Sequence, residues 1–237
     1  MILTAHQPLY LPWLGLFHKI YLAESFCLFD IAQYQNKDFN NRNKIKSSSG
    51  DLLLSVPVES QDHFNKKICD IRIVPGAWIR KHLKSIKLSY QKAPYFDSLY
   101  EKLEKTLYKN HKFLVDLDFE LLQIFLKELG LVPSIVKASD FDFVGQKSEL
   151  VLDMCLKLKA SAYIFGSHGK DYADQESFRA QGIDLYFQDY QHPRYNQLHG
   201  EFSSHLSVVD LLFNEGPNSL NIILENNIQR INESVLK

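Results

Sequence analysis

At 237 residues, with 45% hydrophobic and 23% charged side chains, the chain has the make-up of a globular protein that can bury a real core. A formal net charge of −1 argues against the basic face that general nucleic-acid binding needs, and no run approaches the roughly eighteen apolar residues of a membrane span. Cys27, Cys69 and Cys155 are far apart and form no CxxC or disulfide framework, and no basic region precedes the first apolar run, so a cytoplasmic protein without a signal peptide is expected.

The opening is the most distinctive stretch. An apolar run, Ile2-Leu3-Thr4-Ala5, breaks into His6-Gln7, followed by Pro8 and Pro12, four residues apart, and by Trp13. A helix follows, with Leu14, Phe17, Ile20 and Tyr21 on one face and Pro12 suited to its first turn. Phe26 to Phe29, closed by Asp30, reads as a second strand, so strand, helix and strand fit a βαβ unit. Ligands of such units bind at the carboxyl ends of the strands, where His6, Gln7 and Asp30 are expected.

An amide-rich stretch follows, with Asn36, Asn40, Asn41 and Asn43 favouring turns, then a turn at Ser47 to Gly50 and a strand from Leu52 to Val58. Alternation of Ile71 and Ile73 predicts another strand over Ile68 to Val74. Three amphipathic helices then read from Trp78 to Tyr90, from Phe96 to Leu107, and from about Phe113 to Leu129, stopped by Gly130. They look like a helical insertion, about residues 78–130, in a single α/β domain spanning 1–237.

The α/β rhythm resumes with a short strand at Ile135-Val136, a helix from Lys147 to Leu158 and a strand over Ala162 to Phe165. A helix near Asp174 to Ala180 and a strand from Ile183 to Phe187 follow, and two helices from about Ser207 and Pro217 close the chain. The expected fold is α/β: a mostly parallel, Rossmann-like sheet of the HUP type flanked by helices, with a β-hairpin excursion.

Four polar constellations carry the functional reading. His6 at a strand end can serve as acid, base or anion ligand near neutral pH, or be merely structural. Asn40, Arg42, Asn43 and Lys44 can clamp a phosphate or carboxylate, or form a solvated hairpin tip. Gly166-Ser167-His168-Gly169-Lys170-Asp171-Tyr172 follows a strand and precedes a helix, the position of phosphate-cradling loops, although it is no Walker A sequence. Asp189, His192 and Tyr195 leave the last strand with groups suited to proton transfer or sugar binding. No metal-ligand spacing is present, so no metal is expected.

In this order, the stretches HQPLYLPWLGLFHKI (6–20), FNNRNKIK (39–46), LLLSVPV (52–58), WIRKHLKSI (78–86), YQKAPYF (90–96), KSELVLDMC (147–155), FGSHGKDY (165–172) and residues 187–214 resemble the WbqC-like protein family. His18 stands where the family's opening helix carries an acidic residue, and the 166–169 loop is less glycine-rich than the family's. The resemblance implies a setting in bacterial surface-polysaccharide (O-antigen or capsule) biosynthesis and an aminoacyl (glycyl) or acyl transfer to a nucleotide-linked amino sugar. On that reading His6, Asp189 and His192 serve catalysis. Gln7, Tyr10, Asp30, Asn40, Arg42, Asn43, Lys44, the 166–172 loop (Gly166, Ser167, Gly169, Lys170, Asp171, Tyr172) and Tyr195 hold the nucleotide-linked sugar. A nucleotide is the candidate cofactor, and oligomeric state is left open. The alternatives are a nucleotidylyl-transferase-like or ATP-using amide-forming enzyme, and a non-catalytic scaffold of a polysaccharide-assembly complex.

Overall fold

The computed structural model describes residues 1–59 and 66–231. In chain order the elements are β1 (Ile2–His6), α1 (Leu14–Tyr21), β2 (Ser25–Leu28), β3 (Arg42–Ser47), β4 (Gly50–Ser55), α2 (Trp78–Tyr90), α3 (Phe96–Leu107), α4 (Leu114–Glu128), β5 (Ser134–Lys137), α5 (Ser148–Lys157), β6 (Ala162–Phe165), α6 (Gln175–Ala180), β7 (Asp184–Phe187), α7 (Val208–Glu215) and α8 (Ser219–Leu224). Five strands form one sheet in the order β5-β2-β1-β6-β7, every pair parallel, while β3 and β4 form a separate antiparallel hairpin. This is a Rossmann-like α/β fold.

Both faces of the sheet are covered, which is why its strands are short and nearly all apolar. Successive residues of β2 point to opposite cores. Phe26 and Leu28 pack with Phe17, Phe125 and Leu211, on the side of α1, α4 and α7. Cys27 packs with Leu3, Tyr163, Phe165, Met154 and Phe178, on the side of α5 and α6. Burial pushes the Cys27 and Cys155 thiols up to about 12, so both behave as apolar filler. None of the helices among the described residues is long and apolar enough to cross a membrane.

The strand expected over Ile68 to Val74 is corrected. Ile68–Asp70 is a single 3₁₀ turn, and Ile73 and Arg72 make only isolated bridges, to Val58 and Phe113. Ile68, Ile71 and Ile73 are buried because they pin an irregular segment to the main core, not because they alternate on a ladder. The strand after the Ser47–Gly50 turn is also shorter than expected, ending at Ser55.

The amide-rich stretch is not a solvated tip. Asn40, Asn41 and Asn43 are buried, and Arg42 to Ser47 form an inner strand. Asn40 Nδ2 donates to the carbonyl of Pro8 at 2.8 Å, Asn41 Nδ2 to that of Val56 at 2.7 Å, and Asn43 Nδ2 to that of Leu11 at 2.6 Å. The asparagines therefore supply donors to a buried connection that makes no regular ladder of its own. Leu11 also sits at φ +48°, a left-handed conformation that a leucine adopts only when its surroundings hold it there. Next to it, the Pro12 carbonyl accepts from Val208 N at 2.8 Å. Asn43→Ala leaves the Leu11 carbonyl buried without its donor and is expected to cost about 1–3 kcal/mol, measured by urea denaturation.

Candidate functional site

In the sheet, β2 and β5 lie to one side of β1, and β6 and β7 to the other. The strand order thus reverses direction between β1 and β6, and ligands of such sheets bind in the crevice outside the carboxyl ends at that point. A cleft of about 1280 Å³ opens there. Its floor and walls come from the ends of four strands: Ala5 to Gln7 after β1, Phe29 after β2, Phe165 to Gly169 after β6, and Gln188 to Tyr190 after β7. The first turns of α1, residues Asp38 and Phe39, and Lys147 at the start of α5 complete it.

His6 ends β1 and is half-buried in this crevice. Its Nδ1 lies 2.9 Å from the Gln7 carbonyl, which can only accept, so Nδ1 carries the proton and Nε2 is left with a bare lone pair. Burial, and then the nearby Lys19 charge, lower the imidazole from 6.5 to about 4. The ring is therefore neutral and a proton acceptor at physiological pH. Gln7 is oriented from behind: its Oε1 accepts from Asn40 Nδ2 at 3.3 Å, leaving its own amide N–H groups as donors.

Lys19 was not singled out by the sequence reading, because a lysine inside an amphipathic helix reads as solvated. The side chain is 5% exposed and lines the cleft, its Nζ donating to the Ala5 carbonyl at 2.9 Å. Burial lowers its ammonium from 10.5 to about 8. Lys147 was also passed over. It stands at φ +48° where the chain enters α5, a strained setting for a non-glycine residue at a ligand-sized crevice.

Two glycines shape the walls by close approach. A Cβ at Gly15 would fall 1.9 Å from the Trp13 ring, and one at Gly169 would fall 2.4 Å from Phe165 Cβ. Gly15 thus lets the Trp13 ring lie on the first turn of α1, edge-on to Tyr190 at 6.1 Å, as part of an aromatic wall.

His6, Gln7, Gly166, Ser167, Gly169, Tyr172 and Asp189 all line the cleft, although they span most of the chain. The other expected site residues lie elsewhere. Tyr10 is fully buried, its hydroxyl 2.9 Å from His82 Nδ1 and close to Asp118, whose buried, unpartnered carboxyl is held well above the usual carboxylate range by desolvation. Asp30 clamps the turn after β5, accepting from Ser139 N at 2.9 Å and Ser139 Oγ at 2.7 Å.

Asn40 and Asn43 hold backbone, as described above. Arg42 is turned to Asn41 Oδ1 at 3.4 Å, and Lys44 pairs with Asp51 at 3.5 Å along the hairpin. Lys170 and Asp171 are exposed outside the cleft, with Asp171 3.5 Å from His168. Tyr195 donates to buried Asp210 at 2.8 Å. Both nitrogens of His192 are engaged, Nδ1 with the Pro193 carbonyl at 2.9 Å and Nε2 accepting from His205 N at 3.1 Å. His205, its ring tilted 38° to that of His192 with centroids 4.8 Å apart, reaches the cleft instead. Among the described residues no group of three or more His, Cys, Asp or Glu side chains is placed to hold a metal ion.

The arrangement places a bare imidazole nitrogen, a desolvated ammonium and a set of amide donors at the mouth of a parallel sheet. The model of the WbqC-like protein family matches residues 7–222, a span that contains every element of the cleft except β1 up to His6. The chain belongs to the WbqC-like protein family. An uncharacterised protein of Mycobacterium tuberculosis is 31% identical over 212 residues, covering 89% of this chain and 92% of the relative. No solved structure matches the chain significantly.

The depressed histidine has a consequence for stability in this WbqC-like chain. Between about pH 4 and 6.5 the unfolded chain, with its ordinary imidazole, binds more protons at His6 than the folded one, so stability rises with pH across that window. His82, also lowered to about 4, and His18 and His192 act in the same sense. His6→Asn should remove part of the rise, seen as a smaller difference in urea midpoint between pH 4.5 and pH 7 than in the parent protein.

Proposed function

We propose that the chain is an aminoacyl (glycyl) or acyl transferase that acts on a nucleotide-linked amino sugar in bacterial surface-polysaccharide biosynthesis. Family membership supports the setting, since the resemblance carries that association. The volume of the cleft, about 1280 Å³, is ample for a nucleotide-linked sugar, and Trp13, Phe39, Tyr172 and Tyr190 offer faces on which a base or a sugar ring can rest.

The observation that carries the reading is the locked tautomer of His6. Amide formation needs an amine that loses a proton as it attacks. As the amine nitrogen of the acceptor bonds to the carbonyl carbon of an activated acyl donor, His6 Nε2 accepts the proton that nitrogen sheds. The carbonyl then re-forms, the bond to the leaving group breaks with its electron pair, and the imidazolium returns the proton to that group. Burial keeps the ring neutral, so Nε2 is unprotonated and free to accept at neutral pH. The amide N–H groups of Gln7, fixed by Asn40, are placed to donate to the ligand.

Asp189 at the rim suits hydroxyl recognition on the sugar. Cytoplasmic nucleotide-sugar pools are where such an acceptor would be met. Incubating the purified protein with a panel of nucleotide-linked amino sugars and activated glycyl or acyl donors, and following acceptor mass, tests the proposal. Turnover of at least one pair is expected, and His6→Ala should lower kcat by about 10²–10⁴-fold with its fold retained. Full activity in His6→Ala would remove the base from the mechanism, and an inactive parent protein across the panel would remove the transferase.

A further inference from the structure

Gly15, Leu16 and Lys19 of α1 line the cleft, and Gly15 and Lys19 are same-face neighbours, as residues at i and i+4 are. Lys19 is nearly buried there. Among the described residues its ammonium makes one hydrogen bond, to the Ala5 carbonyl, and no ion pair. The ammonium has three N–H groups, so one carbonyl leaves it undersatisfied. A buried charge without a counter-ion costs several kcal/mol, and folds retain one where something else supplies the compensation.

Gly15 and Leu16, in the first turn of the same helix, line the same cleft as Lys19, which belongs to its last turn. α1 has no acidic residue in its first turn and no side-chain cap from Trp13. The positive end of its dipole and the Gly15 N–H therefore face the cleft that Lys19 also lines, so one ligand there can meet both. The expected cations Lys170 and Arg42 do not answer this need, since they lie outside the cleft, and Lys147 is exposed at its rim.

We infer that Lys19 and the amino-terminal turn of α1 form a phosphoryl-binding site on the floor of the cleft, beside His6. This deepens the reading of the cleft as a nucleotide-sugar site and rests on it for the identity of the natural ligand. A phosphoryl group suits these donors better than a carboxylate, because it brings more acceptor oxygens, and in pyrophosphate more negative charge, to an ammonium with N–H groups to spare beside a helix terminus. The ligand's negative charge would also restore the full charge of a lysine that burial has pulled down to about 8.

The test uses the full chain in thermal-shift titrations at pH 7, with pyrophosphate as probe and acetate at matched ionic strength as the comparison. The parent protein should show a saturable rise in Tm with pyrophosphate and none with acetate. Lys19→Met should have a ligand-free Tm equal to or above that of the parent, because a buried unpaired charge has been replaced by an apolar chain. Its midpoint for pyrophosphate should rise at least tenfold. Lys19→Arg should keep the response within tenfold, and Lys170→Met should leave it unchanged.

A Lys19→Met protein that responds as the parent does, or an acetate response matching that of pyrophosphate, overturns the inference. So does a lowered ligand-free Tm in Lys19→Met, which would make Lys19 a structural tie to Ala5. Pyrophosphate binding requires neither acyl donor nor amino sugar, so it stands if the transferase assay fails. Conversely, transfer activity in Lys19→Met with an unchanged KM would remove the phosphoryl site and leave the transferase intact.

Discussion

The segment between β1 and α1 must run through protein interior with two prolines, no regular ladder and one left-handed leucine. Every carbonyl it buries needs a donor from elsewhere, and proline nitrogens cannot contribute to neighbouring segments in return. The side-chain amides of Asn40 and Asn43, carried by the approach to β3 and by β3 itself, provide those donors to Pro8 and Leu11. Backbone bonds from Tyr10 N to the Phe39 and Asn40 carbonyls, and from Val208 N to the Pro12 carbonyl, tie the same segment to the hairpin approach and to α7. The position of His6 and Gln7, the entry angle of α1 and hence the floor of the cleft all follow from this one set of bonds.

That floor is held at a cost in stability. A neutral histidine with its pKa driven far down, and an ammonium with one carbonyl for company, are groups that a fold selected for stability alone would replace. Their placement together at the switch point of the sheet, surrounded by aromatic rings and glycines that permit close approach, is the arrangement on which the proposed chemistry rests. His18 differs in its bonding. His18 accepts from Gln188 at 2.8 Å and faces the Ile228 carbonyl at 2.9 Å, so both its nitrogens are satisfied and it serves packing, even though it neighbours Lys19 in the chain.

Much of the architecture was legible because its causes are local. Apolar runs four or five residues long, separated by amphipathic helices, require a parallel sheet with both faces covered, and a turn rich in serine and glycine requires a hairpin. Local periodicity misled where burial imitated it: the isoleucines around residue 71 repeat every second position, yet they anchor a coil. The asparagine cluster misled in the opposite way. Its composition signals a wet turn, while the side chains of Asn40 and Asn43 are consumed by carbonyls about thirty residues earlier in the chain, a partnership that no window of sequence displays.

The sequence alone determined the strand and helix alternation, the hairpin, the family resemblance and the location of His6 and Gln7 at a carboxyl-terminal strand edge, since each depends on spacing within a short stretch. The tertiary structure decided which cations face the cleft. Arg42, Lys44 and Lys170 had the right chemistry, but they lie on the hairpin or on the outer lip of a loop, whereas Lys19 is drawn inward by the Ala5 carbonyl. Helical periodicity states only that Lys19 shares a side with Gly15. Whether that side meets water or a crevice depends on how α1 packs against the ends of β1, β6 and β7, and that is fixed by contacts between residues more than a hundred positions apart.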